Sequence, residues 1–532
     1  MLVSKNRSGK IWMFLLSFAL LCALVGSLYV HAWNLGVSPM GLFSDEASIG
    51  LNAKTIAEYG TDEFGTPTPL YFQAFGEYKN PVYIYALAWL LQYVPMSDIS
   101  VRGVSFLFFV GILLVWTIFA ELYWKNRGLT VLHVLMLGAS PWLFSLSRVS
   151  FEAISFVFFY VSFLTVYFLL YINKFRSFIS VILLSVLCAA FAGISWYSYS
   201  TARLLILISI FGACTLLLLQ RKRLAPLLII FLSGLALLPA TGLLEGNNTI
   251  LLGRFSQISY FYDATLTWGE KIGQFLQIYS SYFSPEFHLW VGDSNLRHHA
   301  GPAGMSSYFV YGSMWIGVFL TLFAWRTRKL QPFSDRAWFA NFMLMEFFAA
   351  PLAASMTEPG HAIRVVSMII PMLFFSGVML AFLRRHLQTW APIVGISAIL
   401  LILLEATPFL SYALGHYTRY SVRYFMTYGT EEAVRTVATM RYPLLVIDKD
   451  LYEANVIASY YTETLNNAIT ITSGISDSYI QNIQIPFCYL AKHTPYTQTT
   501  KHVAPNAIPV PLDVQSRLKL TCFPGETSAQ SS

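Results

Sequence analysis

The sequence predicts an all-α polytopic membrane protein followed by a small extracytoplasmic α/β C-terminal domain, and three observations carry that expectation. The 532 residues are 56% hydrophobic and only 11% charged, against about 25% charged in an ordinary soluble domain. About eleven apolar stretches are long enough to cross roughly 30 Å of hydrocarbon. Beyond about residue 412 the character changes, because acidic and basic residues balance and short β-like runs replace the long apolar ones.

The first apolar stretch, residues 11–30, follows Lys5, Arg7 and Lys10. No A-x-A-like cleavage site comes after it, so a retained anchor is expected rather than a signal peptide. Further stretches begin near Val101, Leu129, Phe151, Phe178, Ala202, Leu224, Tyr308, Trp338, Ile363 and Pro392. Residues 81–94 are apolar but short, and read as interfacial or re-entrant. With the N-terminus inside, the inside loops are Lys125-Asn126-Arg127, residues 174–176, Arg221-Lys222-Arg223, residues 326–329 with Arg336, and Arg384-Arg385. All are basic, as the positive-inside rule requires. Counting 81–94 as a crossing would put the first of them outside. The formal charge of +7 is therefore spread through loops, and nucleic acid is not an expected partner. The lipid bilayer is.

This orientation sends outside a first loop (31–80), a second large loop (245–307), short turns near Arg148, Tyr197 and His361, and the tail (412–532). In the tail, a helix-like stretch opening at Thr430-Glu431-Glu432 precedes β-like runs at 442–447 (YPLLVI) and 468–472, a helix-then-strand order that suggests a small α/β domain. The residues from Gly525 onward read as a frayed polar end. Cys22, Cys188 and Cys214 lie in apolar runs as small core residues. Cys488 and Cys522 could pair if the tail meets an oxidising compartment.

Charged residues on the outer side gather in compact clusters beside aromatic and small residues. Asp45 and Glu46 lie in Ser44-Asp45-Glu46-Ala47, and Glu77 and Lys79 in Phe75-Gly76-Glu77-Tyr78-Lys79-Asn80-Pro81. Arg102 opens the second span. Arg148 and Glu152 are four apart, Tyr197 and Tyr199 lead into Arg203, and His361 and Arg364 share the turn before the span starting near residue 363. Carboxylates with several Arg and Lys at membrane level suit a lipid phosphate. Guanidinium groups bind phosphate through charge-assisted pairs, a carboxylate takes the proton of an incoming hydroxyl, and cations stabilise a leaving phosphate. Together they suggest sugar transfer from a lipid-phosphate sugar.

The Asp-Glu pair after the first span, the Glu-x-Lys-x-Pro stretch closing the first loop and the Arg opening the next span resemble the GT-C membrane glycosyltransferases. The nearer resemblance is to the protein O-mannosyltransferase and aminoarabinose lipid A transferase branch, over roughly residues 10–410. It implies a GT-C-like transmembrane domain (1–411) with a catalytic first loop, a polyprenyl-phosphate sugar donor, and inversion without a required metal or cofactor. By that resemblance Asp45 is the general base, with Glu46 beside it. Glu77, Lys79, Arg102, Arg148, Arg203, His361 and Arg364 serve the donor phosphate, and Glu152, Tyr197 and Tyr199 line the substrate pocket. Relatives often read Glu-Lys-Pro-Pro where this chain has Glu77-Tyr78-Lys79-Asn80-Pro81. The bacterial inner membrane is the implied location, with the site and tail extracytoplasmic.

Each residue also has a structural reading. Asp45 and Glu46 could open a helix, Glu77 and Lys79 could pair locally, and Arg102 could snorkel to headgroups. Arg148 and Glu152 could form an i,i+4 pair, Tyr197, Tyr199 and Arg203 could belong to an interfacial belt, and His361 could be structural. Asp293 and His298-His299 match no ligand spacing and read as a solvated loop. Asn247-Asn248-Thr249 fits a glycosylation acceptor. A transporter or flippase of lipid-linked sugars, or a polysaccharide polymerase or ligase, is the alternative function. Gathering of charge at one face, rather than at the bilayer midplane, favours the enzyme. Sugar and acceptor (protein, lipid A, glycan or another lipid) stay open.

Overall fold

The computed structural model describes residues 2–75, 77–172, 177–241, 255–327, 335–421, 429–448, 451, 454–465, 469–473, 485–492, 508–510, 512 and 518–523. The acceptor-like 247–249 and the end from 525 lie outside the described residues. In order, the first helices are α1 (Leu2–Ala32), α2 (Ser44–Tyr59), α3 (Pro81–Leu91), α4 (Asp98–Trp124), α5 (Arg127–Gly138) and α6 (Pro141–Leu146). Next come α7 (Ala153–Tyr171), α8 (Phe178–Ser198), α9 (Ala202–Leu219), α10 (Leu224–Leu237), α11 (Trp268–Ser281) and α12 (Tyr308–Thr327). The series closes with α13 (Asp335–Ala349), α14 (Ile369–His386), α15 (Ala391–Ser411), α16 (Thr430–Thr439) and α17 (Ala454–Thr464).

Every expected apolar stretch is helical. Among the described residues, eight helices are long and apolar enough to cross a membrane. The other three expected spans correspond to shorter apolar helices: α5, α10 and the Tyr308–Ala324 part of α12. The reason is clearest at α5, where the apolar run starting near Leu129 continues past the helix end. Ser140 caps a new helix through Leu143 N, and Pro141 occupies its first turn; both residues favour a fresh start over continuation. The 12 residues of α5 therefore span only about 18 Å. The 11 residues of α3 span about 16 Å, in line with the short interfacial piece read from the sequence.

The chain forms two compact units. One comprises Met1–Trp33, Pro69–Tyr83 and Gly103–Gly415, the other Asn34–Thr68, Ile84–Arg102 and His416–Ser532. The tail from His416 thus groups with most of the first loop in one unit.

In the first unit small residues set the helix spacing, as expected where apolar attraction between helices is weak. A Cβ on Gly317 of α12 would collide with the Phe375 carbonyl of α14, and one on Gly138 of α5 with the Ser27 side chain of α1. Phe119 and Tyr123 of α4, Phe168 of α7, Phe339 of α13 and Phe374 of α14 interlock with ring centroids 4.9 to 6.4 Å apart. Glu346, fully buried, accepts hydrogen bonds from Tyr160 (2.6 Å) and Ser209 (2.8 Å). A hairpin of β1 (Phe72–Ala74) and β2 (Glu77–Lys79) pairs Ala74 with Glu77 and Phe72 with Lys79.

The second unit carries a five-stranded mixed sheet of β3 (Leu444–Ile447), β4 (Thr470–Ser473), β5 (Phe487–Lys492), β6 (Ile508–Val510) and β7 (Leu518–Phe523), in the order β4-β3-β5-β7-β6. β3 runs parallel to β4 and β5, and β7 runs antiparallel to β5 and β6. The expected helix-then-strand order is thus present in α16 and β3. Cys488 and Cys522 are register partners on β5 and β7 and form a disulfide. α17 packs on α2 of the first loop. Gly50 makes this approach close, since a Cβ there would lie 2.7 Å from the Tyr460 ring.

Candidate active site

In the second unit, Ser44-Asp45-Glu46 forms the first turn of α2. Glu46 is the third helical residue, and its Oε2 accepts from Phe43 N at 3.1 Å, satisfying one of the donors a helix start leaves open. The same carboxylate takes a two-pronged ion pair from Arg102, with Nε to Oε1 at 2.9 Å and Nη2 to Oε2 at 3.0 Å. Arg102 also donates to the carbonyls of Pro39 (2.8 Å) and Gly41 (2.6 Å). Both side chains are 0% exposed. Glu46, expected beside the base, and Arg102, expected at the donor phosphate, are thus paired with each other inside the fold, and Arg102 does not reach outward as a span-end anchor. Their charges neutralise each other and tie the start of α4 to the loop ahead of α2. Asp45, one position earlier, is half-buried at the positive end of α2.

In the first unit, the Glu-x-Lys-x-Pro stretch is fixed through Asn80, a residue to which the motif itself assigns no role. Its backbone N and Nδ2 donate to the two oxygens of Glu152 at 3.0 and 2.7 Å. Its Oδ1 accepts from Arg203 Nη2 at 3.1 Å. Asn80 is 3% exposed and Lys79 8%. The Lys79 ammonium lies 5.6 Å from the Phe75 ring centre, and the Arg203 guanidinium lies 5.4 Å over Tyr71 and 5.9 Å over Trp196, in cation–π range. Tyr71 in turn tilts against Tyr197 at 6.1 Å. Burial pushes the Tyr71 phenol upward, and Arg203 opposes this. Tyr197 donates to the Ala236 carbonyl at 2.8 Å, and Tyr199 ends α8 in extended backbone. Glu77 sits in β2 opposite Ala74.

The expected Arg148–Glu152 helix pair does not form, because residues 147–152 lie between α6 and α7 rather than within a helix. Glu152 goes to Asn80. Arg148, 2% exposed, donates to the carbonyls of His31 (3.0 Å) and Trp33 (2.5 Å) and lies over Phe144. It thus closes the C-terminal end of α1, where a cation is favoured.

His361 and Arg364 occupy a tight turn ahead of α14. Arg364, 8% exposed, donates to Thr357 Oγ1 at 2.8 Å and pairs with Glu358 at 3.2 Å. The His361 ring stacks on His298 at 4.5 Å. His298 Nδ1 lies 2.6 Å from Asp293 Oδ2, which also accepts from Ala362 N at 2.7 Å. Burial raises the Asp293 carboxyl, but the hydrogen bond and charge of His298 outweigh it and hold the group below the usual carboxylate range. The solvated loop expected at Asp293, His298 and His299 is therefore a buried cluster, at 4%, 8% and 2% exposure. Among the described residues, Asp293, His298 and His361 are the set whose donor atoms converge as metal ligands would. Spacing along the chain held no signal for this, since His361 arrives from a different segment.

No protein-family model and no curated protein sequence matches the chain. Its fold does have solved counterparts. The structure of ArnT from Cupriavidus metallidurans bound to undecaprenyl phosphate aligns over 96% of this chain and 98% of its own, with a TM-score of 0.53 and 11% identity. The apo form of the same protein aligns over 97% and 98%, with a TM-score of 0.54 and 12% identity. The likeness in fold thus extends over nearly the whole chain, in line with the GT-C-like architecture expected from the sequence.

Proposed function

We propose that this chain is an inverting glycosyltransferase that moves a sugar from a polyprenyl-phosphate donor to an extracytoplasmic acceptor hydroxyl, with Asp45 as general base. The observation that carries the reading is the placement of Asp45. It is half-buried in the first turn of α2, next to Glu46, whose ion pair with Arg102 ties that turn to the start of α4. In the reaction Asp45 takes the acceptor hydroxyl proton as that oxygen bonds to the anomeric carbon. The bond from that carbon to phosphate oxygen breaks, and polyprenyl phosphate departs as an anion, needing no acid catalyst.

Lys79 and Arg203 are the cations proposed for the phosphate. Lys79 stands beside the Phe75 ring, and Arg203 beside Tyr71 and Trp196, and cations of this kind stabilise charge growing on a leaving phosphate. His361 and Arg364 are proposed to border the donor region, and Glu77 and Tyr199 the acceptor side. Glu152 and Tyr197 are assigned positioning roles, through Asn80 and Tyr71. No metal enters the displacement. An apolar cavity of about 300 Å³ in the first unit, lined by Met136, Ile369, Ile402, Ala406 and Phe409, offers room for prenyl carbons. The Cys488–Cys522 disulfide suits an oxidising compartment, which supports an extracytoplasmic tail. The solved ArnT bound to undecaprenyl phosphate supports a polyprenyl carrier.

The test is transfer of labelled sugar from polyprenyl-phosphate donors in membranes expressing wild type or Asp45→Asn at equal levels. Wild-type transfer that collapses in the variant supports the base assignment. Equal turnover removes Asp45 from that role.

A further inference from the structure

We infer that Asp293, His298 and His361 form a binding site for one divalent transition-metal cation of the zinc class. One donor atom from each residue lies within 4.8 Å of the other two. Ligand atoms around tetrahedral zinc sit about 3.4 Å apart, given bonds near 2.1 Å, so small ring rotations close the set. Asp293 and His298 come from one loop and His361 from a turn 63 positions beyond His298. Sequence proximity therefore cannot account for the cluster.

The carboxylate is held ready by backbone. Asp293 Oδ1 accepts from Asn295 N at 2.8 Å and Oδ2 from Ala362 N at 2.7 Å, the kind of outer support that fixes a metal ligand's orientation. A hydrogen-bonded pair of Asp293 and His298 would need no third member. It gives no reason for His361 to stack on His298 at 4.5 Å with its donor atom in the same small volume. Two imidazoles with one carboxylate suit zinc and its neighbours rather than calcium or magnesium, which prefer all-oxygen shells. Glu358, whose Oε1 lies 3.8 Å from His361 Nε2, stands at the edge of the fourth position. The cation would clamp the loop after residue 290 to the turn bearing His361 and Arg364. It acts on structure, so its binding is independent of the transferase reading.

The experiment is elemental analysis of the full-length, tag-free protein in detergent, incubated with zinc chloride and desalted, beside His298→Gln, His361→Gln and, as a control, His416→Gln. Wild type and the control should retain one zinc per chain, with binding about ten-fold or more weaker in the two site variants. Zinc should also raise the thermal unfolding midpoint of wild type and leave that of His361→Gln unmoved. Zinc content equal in wild type and both site variants, or no retained zinc in any, overturns the site. His361→Gln keeps the test decisive if His298→Gln fails to fold, because the more exposed His361 turn lies at the edge of the cluster.

Discussion

Replacing Glu46 by Gln tests whether this residue holds the fold while its neighbour Asp45, the proposed base, carries the chemistry. The substitution keeps the shape of the side chain and leaves the Arg102 guanidinium buried without its counter-charge. Breaking a buried ion pair from one side costs about 3–5 kcal/mol. The new amide would still accept one hydrogen bond, and Asp98 lies close enough to Arg102 to share its charge, so the loss should fall near ~3 kcal/mol, the low end of that range. Arg102→Met should cost more, about 5 kcal/mol, because the carbonyls of Pro39 and Gly41 lose their donors too, at about 1–3 kcal/mol each. The double variant should lose clearly less than the sum of the singles, since each mutation removes the same pair. Unfolding of all four proteins in detergent gives the cycle, and labelled-sugar transfer per folded molecule gives the chemistry. Glu46→Gln should transfer normally once corrected for its folded fraction, while Asp45→Asn should fold normally and transfer nothing. A Glu46→Gln protein that unfolds like wild type yet is inactive would refute the assignment, and additive singles would refute the pairing.

Three further outcomes follow from the geometry. Asn80→Asp should place a carboxylate against Glu152 at the present 2.7 Å contact, lowering both stability and transfer; adding Glu152→Gln should recover much of the loss, read by melting and transfer together. Gly50→Ala should drive a Cβ to 2.7 Å from Tyr460, costing about 1–3 kcal/mol and making the tail easier to cleave in limited proteolysis. Burial holds the His288 imidazole down from 6.5 to about 4. The unfolded chain therefore takes up this proton first, and stability falls as pH drops from 6.5 to 4 and levels off below. That displacement corresponds to about 3 kcal/mol over the window, and His288→Gln should flatten this part of the acid limb in unfolding measured against pH.

Membrane character, the positions of the apolar helices, the α/β tail and the short acidic start of α2 were all legible in the chain. These are local properties: hydropathy sets which segments leave water, and capping chemistry sets where helices begin. The Cys488–Cys522 pairing needed only a compartment and a partner, and the strand register supplied the partner. Which charges are spent on the fold was not legible, because a guanidinium in the sequence looks the same whether it binds a ligand or a buried carboxylate. Folding joined Arg102 to Glu46 across 56 positions, sent Arg148 to the end of α1, and routed Glu152 to Asn80 rather than to its helical neighbour. It likewise brought His361 against Asp293 and His298. The physical reason is common to all of these: burial makes an unpaired charge too costly to keep, so each buried ionisable group is defined by the partner that folding brings to it, and that partner lies far away in the chain.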